Sequence, residues 1–151
     1  MTLSRRRVVL SIEDDEAVRQ SLEAALEFSD IQVVSYPEGG AALAWLRTLE
    51  DGYLPSLILL DLQIYGGGMD GWRFRQEQLA DDRLAHIPTV ILSAVSRGEV
   101  DRAMMGCAGF LPKPFDLEAL LAAIHKSETT IRDAVKTMAA VPAAKRRTGK
   151  P

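Results

Sequence analysis

The stretch Leu57-Ile58-Leu59-Leu60-Asp61 decides the fold of this chain. Four consecutive apolar residues followed directly by a carboxylate are typical of a strand that is buried on both faces of a parallel sheet. In an open α/β sheet, ligands bind outside the carboxyl ends of the strands. Asp61 is therefore predicted to lie at the ligand-binding edge of such a sheet.

The first predicted strand also ends in carboxylates. The apolar segment from Val8 to Ile12 runs directly into Glu13-Asp14-Asp15. Carboxylates this close together repel one another unless a cation neutralises them. Mg²⁺ takes oxygen ligands and is usually held by one or two carboxylates, several waters and a phosphate. Glu13, Asp14 and Asp61 are therefore candidate ligands of a magnesium ion.

Two later predicted strands end in a hydroxyl group and a positive charge. Thr89 to Leu92 is followed by Ser93, and Gly109 to Pro112 is followed by Lys113. A carboxylate can attack a phosphoryl group to form an acyl phosphate when donors of this kind stabilise the charge on the phosphoryl oxygens. Asp61 is the candidate nucleophile of such a reaction.

Helical patterns alternate with the strands along the chain. Apolar residues recur at helical spacing in three segments, at Val18, Leu22, Ala25 and Leu26, at Ala42, Trp45, Leu46 and Leu49, and at Leu117, Leu120, Leu121 and Ile124. Another strand is predicted over Ile31 to Val34, a third helix from near Trp72, and a short fourth helix from Arg97 to Met105. This alternation predicts βαβ units around a parallel sheet.

In this order the residues resemble the receiver domain of two-component response regulators, over roughly residues 6 to 126. The blocks that carry the resemblance are Glu13-Asp14 with Arg19, Leu60-Asp61, Met69-Asp70-Gly71, Ser93-Ala94 and Lys113-Pro114-Phe115. Each block alone is a weak signal, and their shared order at strand ends is specific. The resemblance implies a flavodoxin-like (CheY-like) α/β fold, a doubly wound five-stranded parallel sheet with strand order 2-1-3-4-5 and helices on both faces.

The resemblance also implies a ligand set for the site. Asp61 accepts the phosphoryl group, and Mg²⁺ is held by Glu13, Asp14, Asp61 and the backbone carbonyl of Gln63. Lys113 pairs with one phosphoryl oxygen, and its peptide bond to Pro114 is cis in the family.

A switch is implied as well. Ser93 hydrogen-bonds another phosphoryl oxygen, and its movement toward the phosphoryl group vacates space for Phe110. The surface that changes is formed by the fourth helix, the fifth strand and the fifth helix.

The implied function is that of a stand-alone response regulator in a phosphorelay. It accepts a phosphoryl group on Asp61 from a histidine kinase or phosphotransfer protein and relays the signal by phosphorylation-dependent contact with an effector protein. It is not an enzyme beyond self-catalysed phosphotransfer and autodephosphorylation. Homodimer formation stays open, and the sequence does not identify the kinase, the stimulus or the target.

Composition agrees with one globular domain in the cytoplasm. The 151 residues are 47% hydrophobic and 26% charged, with the single cysteine Cys107. No apolar run approaches the roughly 20 residues of a membrane-spanning helix. We expect the receiver domain to occupy residues 1–126 and a helical extension with a basic, disordered tail to occupy 127–151. The remainder is too short for a typical DNA-binding domain, so no direct DNA binding is expected.

Two departures from the family pattern keep an alternative open. Tyr65-Gly66-Gly67-Gly68 lengthens the step from Asp61 to Asp70 to nine positions, which is longer than usual. The step from Ser93 to Lys113 is shorter than usual. The alternative is a degenerate receiver that acts as a phosphorylation-independent interaction module.

Three enzyme classes fit less well. Gly66, Gly68 and Gly71 satisfy the dinucleotide-binding pattern G-x-G-x-x-G, but the first glycine comes five residues after the strand and no ribose-binding acid follows. An NTPase would need a phosphate-binding G-x-x-x-x-G-K-[ST] loop, which the sequence lacks. An aspartyl phosphatase would need a second aspartate where Gln63 stands.

Overall fold

A computed structural model describes residues 7–94 and 106–127 of the chain. The strands are β1 (Arg7–Ile12), β2 (Ile31–Tyr36), β3 (Leu57–Asp61), β4 (Thr89–Ser93) and β5 (Gly109–Pro112). The helices are α1 (Glu16–Phe28), α2 (Gly39–Thr48) and α3 (Gly71–Ala80), with a 3₁₀ turn at Asp51–Tyr53. Residues 117–127 are also helical. Strands and helices therefore alternate along the described chain, as the sequence predicts.

The five strands form one parallel sheet in the order β2-β1-β3-β4-β5. The register pairs Ile12 with Leu60 and Asp61 with Leu92, and it pairs Ser93 with Pro112. The strands β1, β3, β4 and β5 therefore end almost level with one another. The predicted strand order is confirmed, and the polar residues that follow these strands meet at one edge of the sheet.

Each face of the sheet carries its own apolar core, because successive side chains of a strand point to opposite faces. One core packs strand residues such as Leu10 and Ile58 against α2 and α3. The other packs residues such as Val9 and Leu59 against α1 and helix 117–127. Every residue of β3 and β4 is buried. The central strands are thus held rigidly from both sides, and so are the side chains at their ends.

The first three helices begin at carboxylates that cap free backbone amides. Asp15 accepts from Val18 at the start of α1, Glu38 from Gly40 and Ala41 at the start of α2, and Asp70 from Arg73 at the start of α3. A capping side chain of this kind typically contributes about 1 kcal/mol. The caps fix the position at which each of these helices begins, beside the edge of the sheet where the polar residues meet.

Some predicted boundaries differ from the structure. The apolar stripe of the second helix includes Leu49, but Leu49 is the extended residue after α2. Leu117, part of the last predicted stripe, is 43% exposed. The predicted helix from Arg97 to Met105 and the predicted tail beyond residue 127 lie outside the described residues. Within the described ranges, no helix has both the length and the apolar character needed to cross a membrane.

Candidate functional site

Three carboxylates meet where β1 and β3 end. Carboxylate oxygens of Glu13, Asp14 and Asp61 all lie within 4.8 Å of one another. Glu13 and Asp61 are only 1% and 3% exposed, and Asp14 is partly buried. The neighbouring register of β1 and β3 produces this convergence. The structure therefore brings together the three residues whose side chains the sequence predicts as metal ligands.

Lys113 reaches the same carboxylates from the end of β5. Its Nζ donates to Glu13 Oε2 at 2.8 Å and to Asp61 Oδ2 at 2.9 Å. The backbone amide of Lys113 donates to the carbonyl oxygen of Ser93 at 2.9 Å, which ties the ends of β4 and β5 together. The Lys113–Pro114 bond is cis, as the resemblance implies. The lysine is thus placed to bind negative charge beside Asp61.

The charges of this cluster perturb one another. Burial raises the pKa of Glu13 to about 7, with the hydrogen bond from Lys113 opposing this and the charge of Asp61 adding to it. For Lys113, burial lowers the pKa, but hydrogen bonds from Lys113 to Glu13 and Asp61 outweigh it and the net pKa is raised. One ammonium group is shared between two buried carboxylates, so the site favours additional positive charge.

Arg19 holds the backbone of the acidic turn. Its Nη1 donates to the carbonyl oxygen of Glu13 at 2.8 Å and to that of Asp14 at 3.0 Å. The amide of Asp15 donates to Glu13 Oε1 at 3.3 Å, and Asp15 itself caps α1. The sequence associates Arg19 with the acidic pair, and the structure shows the physical reason, which is that the guanidinium fixes two consecutive carbonyls. Asp15 is a helix cap and does not belong to the carboxylate cluster.

The loop after β3 contributes backbone donors to the site. The amide of Gln63 donates to Asp61 Oδ1 at 3.0 Å. The amide of Tyr65 donates to Asp14 Oδ2 at 2.9 Å, while the Tyr65 side chain is 80% exposed. No sequence motif marks Tyr65 as a site residue, because it acts through its main chain. The structure adds this contact to the predicted site.

These groups line an open cleft of about 460 Å³. Its walls are formed by Glu13, Asp14, Asp15, Val18, Asp61, Gln63, Tyr65, Ala94 and Lys113. Ser93 is fully buried at the end of β4 and does not line the cleft, whereas its neighbour Ala94 does. Phe110 lies on β5, partly buried against the core under α2 and α3. Ser93 pairs with Pro112 and Phe110 pairs with Ile91, so the predicted hydroxyl and the predicted switch aromatic lie on neighbouring strands, two register positions apart.

Other residues noted in the sequence lie outside this arrangement. The two histidines, His86 and His125, are exposed. Trp45 and Trp72 are partly buried and pack against the core beneath α2 and α3. Cys107 is partly exposed and makes no disulfide.

Comparison with known proteins identifies the family. Residues 9–125 match the model of the response regulator receiver domain. Response regulator Rre1 of Synechocystis is 31% identical over 120 residues, which are 78% of this chain and 49% of that protein. Response regulator PleD of Caulobacter vibrioides is 34% identical over 120 residues, which are 78% of this chain and 25% of that protein. The chain thus spans about half or less of the length of these two relatives.

Solved structures agree on the fold. The chemotaxis protein CheY4 of Vibrio cholerae matches with a TM-score of 0.72 at 22% identity, over 82% of this chain and 99% of that protein. On the extent of the family match and the level of identity to curated relatives, this chain belongs to the response regulator receiver domain family.

Proposed function

We propose that the chain accepts a phosphoryl group on Asp61 from a histidine kinase or phosphotransfer protein and relays the signal through a phosphorylation-dependent contact with an effector protein. The observation that carries the proposal is the environment of Asp61. Its carboxylate lies at a buried strand end, within 4.8 Å of two other carboxylates and 2.9 Å from Lys113 Nζ. The expected compartment is the cytoplasm.

The donor set suits a magnesium ion. Three carboxylates face one another with one ammonium group between two of them, and hard oxygen donors are what Mg²⁺ prefers. Glu13, Asp14 and Asp61 would hold the ion together with the backbone carbonyl of Gln63. When bound, it would neutralise negative charge between the nucleophile and the phosphoryl oxygens.

The transfer itself is a displacement at phosphorus. A carboxylate oxygen of Asp61 forms a bond to phosphorus, the bond from phosphorus to the donor's imidazole nitrogen breaks, and the electron pair leaves with that nitrogen. Backbone and side-chain donors already orient the carboxylate, since Gln63 binds Oδ1 and Lys113 binds Oδ2. The nucleophile is therefore held in place before the donor arrives, which lowers the entropic cost of the reaction.

Lys113 and Ser93 would then receive the transferred group. The ammonium group of Lys113 already lies 2.9 Å from Asp61 Oδ2, so a phosphoryl oxygen on Asp61 comes within its reach. Ser93 is tied to Lys113 through the backbone, and its hydroxyl would move toward another phosphoryl oxygen. The space that it leaves would admit Phe110, and this would change the surface near β5.

A phosphorylation-independent interaction module is the second candidate function. The observation that favours it is the lengthened loop after β3, which places the three consecutive glycines Gly66, Gly67 and Gly68 beside the acidic cluster. Such a module would bind its partner through the same surface without any change at Asp61.

Incubation with Mg²⁺ and acetyl phosphate, followed by intact mass measurement, separates the two functions. We expect the wild-type protein to gain one phosphoryl group and Asp61→Asn to gain none. Asp70→Asn is the matched control, because it also removes one carboxylate, while asparagine caps a helix as well as aspartate does. Labelling of Asp61→Asn, or an unlabelled but folded wild-type protein, would contradict the proposal.

A further inference from the structure

The loop between β3 and α3 is pinned at both ends by carboxylates. At its start, the amide of Tyr65 donates to Asp14 Oδ2 at 2.9 Å. At its end, the amide of Met69 donates to Glu38 Oε2 at 2.9 Å, and the carbonyl of Met69 accepts from the amide of Gly39 at 2.8 Å. We call residues 64–69 the glycine loop, since they contain Gly66, Gly67 and Gly68.

Glu38 joins this loop to α2. Its Oε1 accepts from Ala41 at 2.6 Å, and its Oε2 accepts from Gly40 at 2.7 Å as well as from Met69. Burial raises the pKa of Glu38, but these three backbone amides outweigh it and hold the pKa below its usual value. The side chain is therefore ionised at neutral pH, and its hydrogen bonds are of the stronger, charge-assisted kind. A helix cap thus serves at the same time as the anchor of a distant loop.

At Gly68 the backbone of the loop passes close to the Glu38 carboxylate. Gly68 has a φ of +78°, and a Cβ added there would lie 2.6 Å from Glu38 Oε2. Its backbone conformation favours glycine, and a Cβ at this position would displace the Glu38 carboxylate. Gly66 has neither constraint, because a Cβ there would have no neighbour within 4 Å.

We propose that Glu38 is a positioning residue of the phosphoacceptor site, which anchors the glycine loop from outside the cleft and thereby orients Asp14 through the main-chain amide of Tyr65. The inference deepens the proposed function and rests on it for the role of Asp14 in binding Mg²⁺. Within the described part of the chain, the Glu38 carboxylate bonds to Gly40, Ala41 and Met69, none of which lines the cleft, so Glu38 acts through the loop.

The loop needs an anchor at its far end because three consecutive glycines make it costly in conformational entropy to order. Glycine loses more conformational freedom on ordering than any other residue. A loop that contains Gly66, Gly67 and Gly68 must therefore be fixed at its far end if its near end is to hold a hydrogen bond to Asp14. Release of the Met69 end lets the Tyr65 amide leave Asp14 Oδ2, and the carboxylate is then less well preorganised for a cation.

Two variants release the loop from opposite sides. Glu38→Ala removes the acceptor and also the α2 cap, whereas Gly68→Ala disturbs the same contact from the loop and retains the glutamate, whose Oε1 still accepts from Ala41. In the metal-free protein we expect both to speed hydrogen exchange of the Tyr65 and Met69 amides, as followed by NMR. We also expect both to weaken Mg²⁺ binding roughly 3- to 10-fold, somewhat less than the loss of a group in direct contact with a metal ligand.

Two controls separate positioning from stability. Gly66→Ala adds a methyl group to the same loop without meeting a neighbour. Arg83→Ala removes the contacts of Arg83 with Asp51 and with the carbonyl of Leu49, at the other end of α2. We expect both controls to keep the wild-type Mg²⁺ affinity and the wild-type exchange rate at Tyr65.

The results distinguish this inference from the proposed function. Unchanged exchange at Tyr65 in both Glu38→Ala and Gly68→Ala would overturn the inference, as would an equal loss of Mg²⁺ affinity in Arg83→Ala. Faster exchange with unaltered Mg²⁺ affinity would also overturn it. In each of these cases phosphorylation of wild-type Asp61 would still stand, since exchange in the metal-free protein requires no phosphotransfer.

Discussion

Lys113 presents one ammonium group to two buried carboxylates. Because one positive charge serves two carboxylates, the site responds to added cations and to pH. The ion pairs of Lys113 with Glu13 and with Asp61 measure 2.8 Å and 2.9 Å. Both carboxylates are nearly inaccessible, whereas the lysine side chain is 26% exposed. Removal of the cation therefore leaves two carboxyl groups with little access to water and without their shared hydrogen-bond donor, which costs much more than loss of a surface ion pair.

The variant Lys113→Ala is expected to lower the free energy of unfolding by roughly 1–3 kcal/mol without Mg²⁺, because the two buried carboxylates lose their shared hydrogen-bond donor. Mg²⁺ should restore more stability in this variant than it adds to the wild-type protein, since a bound cation takes over the neutralising role. Urea unfolding with and without Mg²⁺ measures both effects. Arg47→Ala is the control, because it removes only exposed ion pairs with Glu77 and Asp81. Equal stabilisation of Lys113→Ala and wild type by Mg²⁺ would contradict this account.

Glu13 makes the site sensitive to pH near neutrality. Its pKa in the folded protein is raised from 4.5 to about 7, so the metal-free fold retains a proton that the unfolded chain loses between those values. Metal-free stability should therefore fall as pH rises from about 4.5 to about 7, since the folded state binds more protons there. Mg²⁺ affinity should rise over the upper part of this range, because the ion competes with the proton.

Tryptophan fluorescence provides the measurement, since Trp72 lies directly after the Asp70-Gly71 pair that begins α3. Titration with Mg²⁺ between pH 6 and pH 8 should show a strengthening of binding in the wild-type protein. In Glu13→Gln this pH dependence should be largely lost, whatever its absolute affinity. A wild-type affinity that stays constant over the range would show that Glu13 does not hold the proton.

At the scale of secondary structure, Gly71 determines how closely α3 approaches the end of β3. A Cβ at this position would overlap the carbonyl oxygen of Asp61 and lie 2.6 Å from the Cα of Leu62. Neither atom can move without shifting β3, because this strand is buried along its whole length. The glycine of the Asp70-Gly71 block is therefore required by backbone packing.

The variant Gly71→Ala is expected to destabilise the fold by about 3 kcal/mol or more, since an overpacked buried site costs at least 1–3 kcal/mol and here the neighbour is backbone. Chemical denaturation measures this loss. Gly52→Ala is the matched control, because a Cβ there meets nothing within 4 Å. Similar stabilities for the two variants would mean that α3 can move away from β3 at little cost.

The elements also show what the sequence can and cannot predict. The strand predicted over Ile31 to Val34 continues to Tyr36, because Ser35 and Tyr36 extend the ladder with β1. Ser35 interrupts the apolar pattern, so the pattern ends before the strand does. The capping position of Glu38 follows from the start of α2, but its bond to Met69 spans 31 positions. Local sequence patterns cannot predict a contact between residues so far apart in the chain.

For the molecule as a whole, the site is a junction between distant parts of the chain. The bond from Lys113 to Glu13 joins residues 100 positions apart, and that from Lys113 to Asp61 joins residues 52 apart. The strand order that the family resemblance implies predicts that these residues meet at one edge of the sheet. The sequence could not predict which oxygens Lys113 contacts, or that Ser93 is buried and does not line the cleft, because these follow from side-chain packing.

A ligand that bridges these strand ends should stabilise the entire fold. Mg²⁺ with beryllofluoride, a mimic of the phosphoryl group, would engage residues that follow β1, β3 and β5 together. At about 100 times its dissociation constant, a ligand adds roughly 2.7 kcal/mol of stability, which corresponds to a rise of about 10 °C in the melting temperature of a domain of this size.

We expect this rise in the wild-type protein and in the control Asp70→Asn, as measured by thermal unfolding. Asp61→Asn should show no increment from beryllofluoride beyond that of Mg²⁺ alone, because it lacks the carboxylate to which the mimic binds. A wild-type protein that responds only as Asp61→Asn does would favour the phosphorylation-independent module. The size of the increment thus reports whether the ends of β1, β3 and β5 act together as one phosphate-binding site.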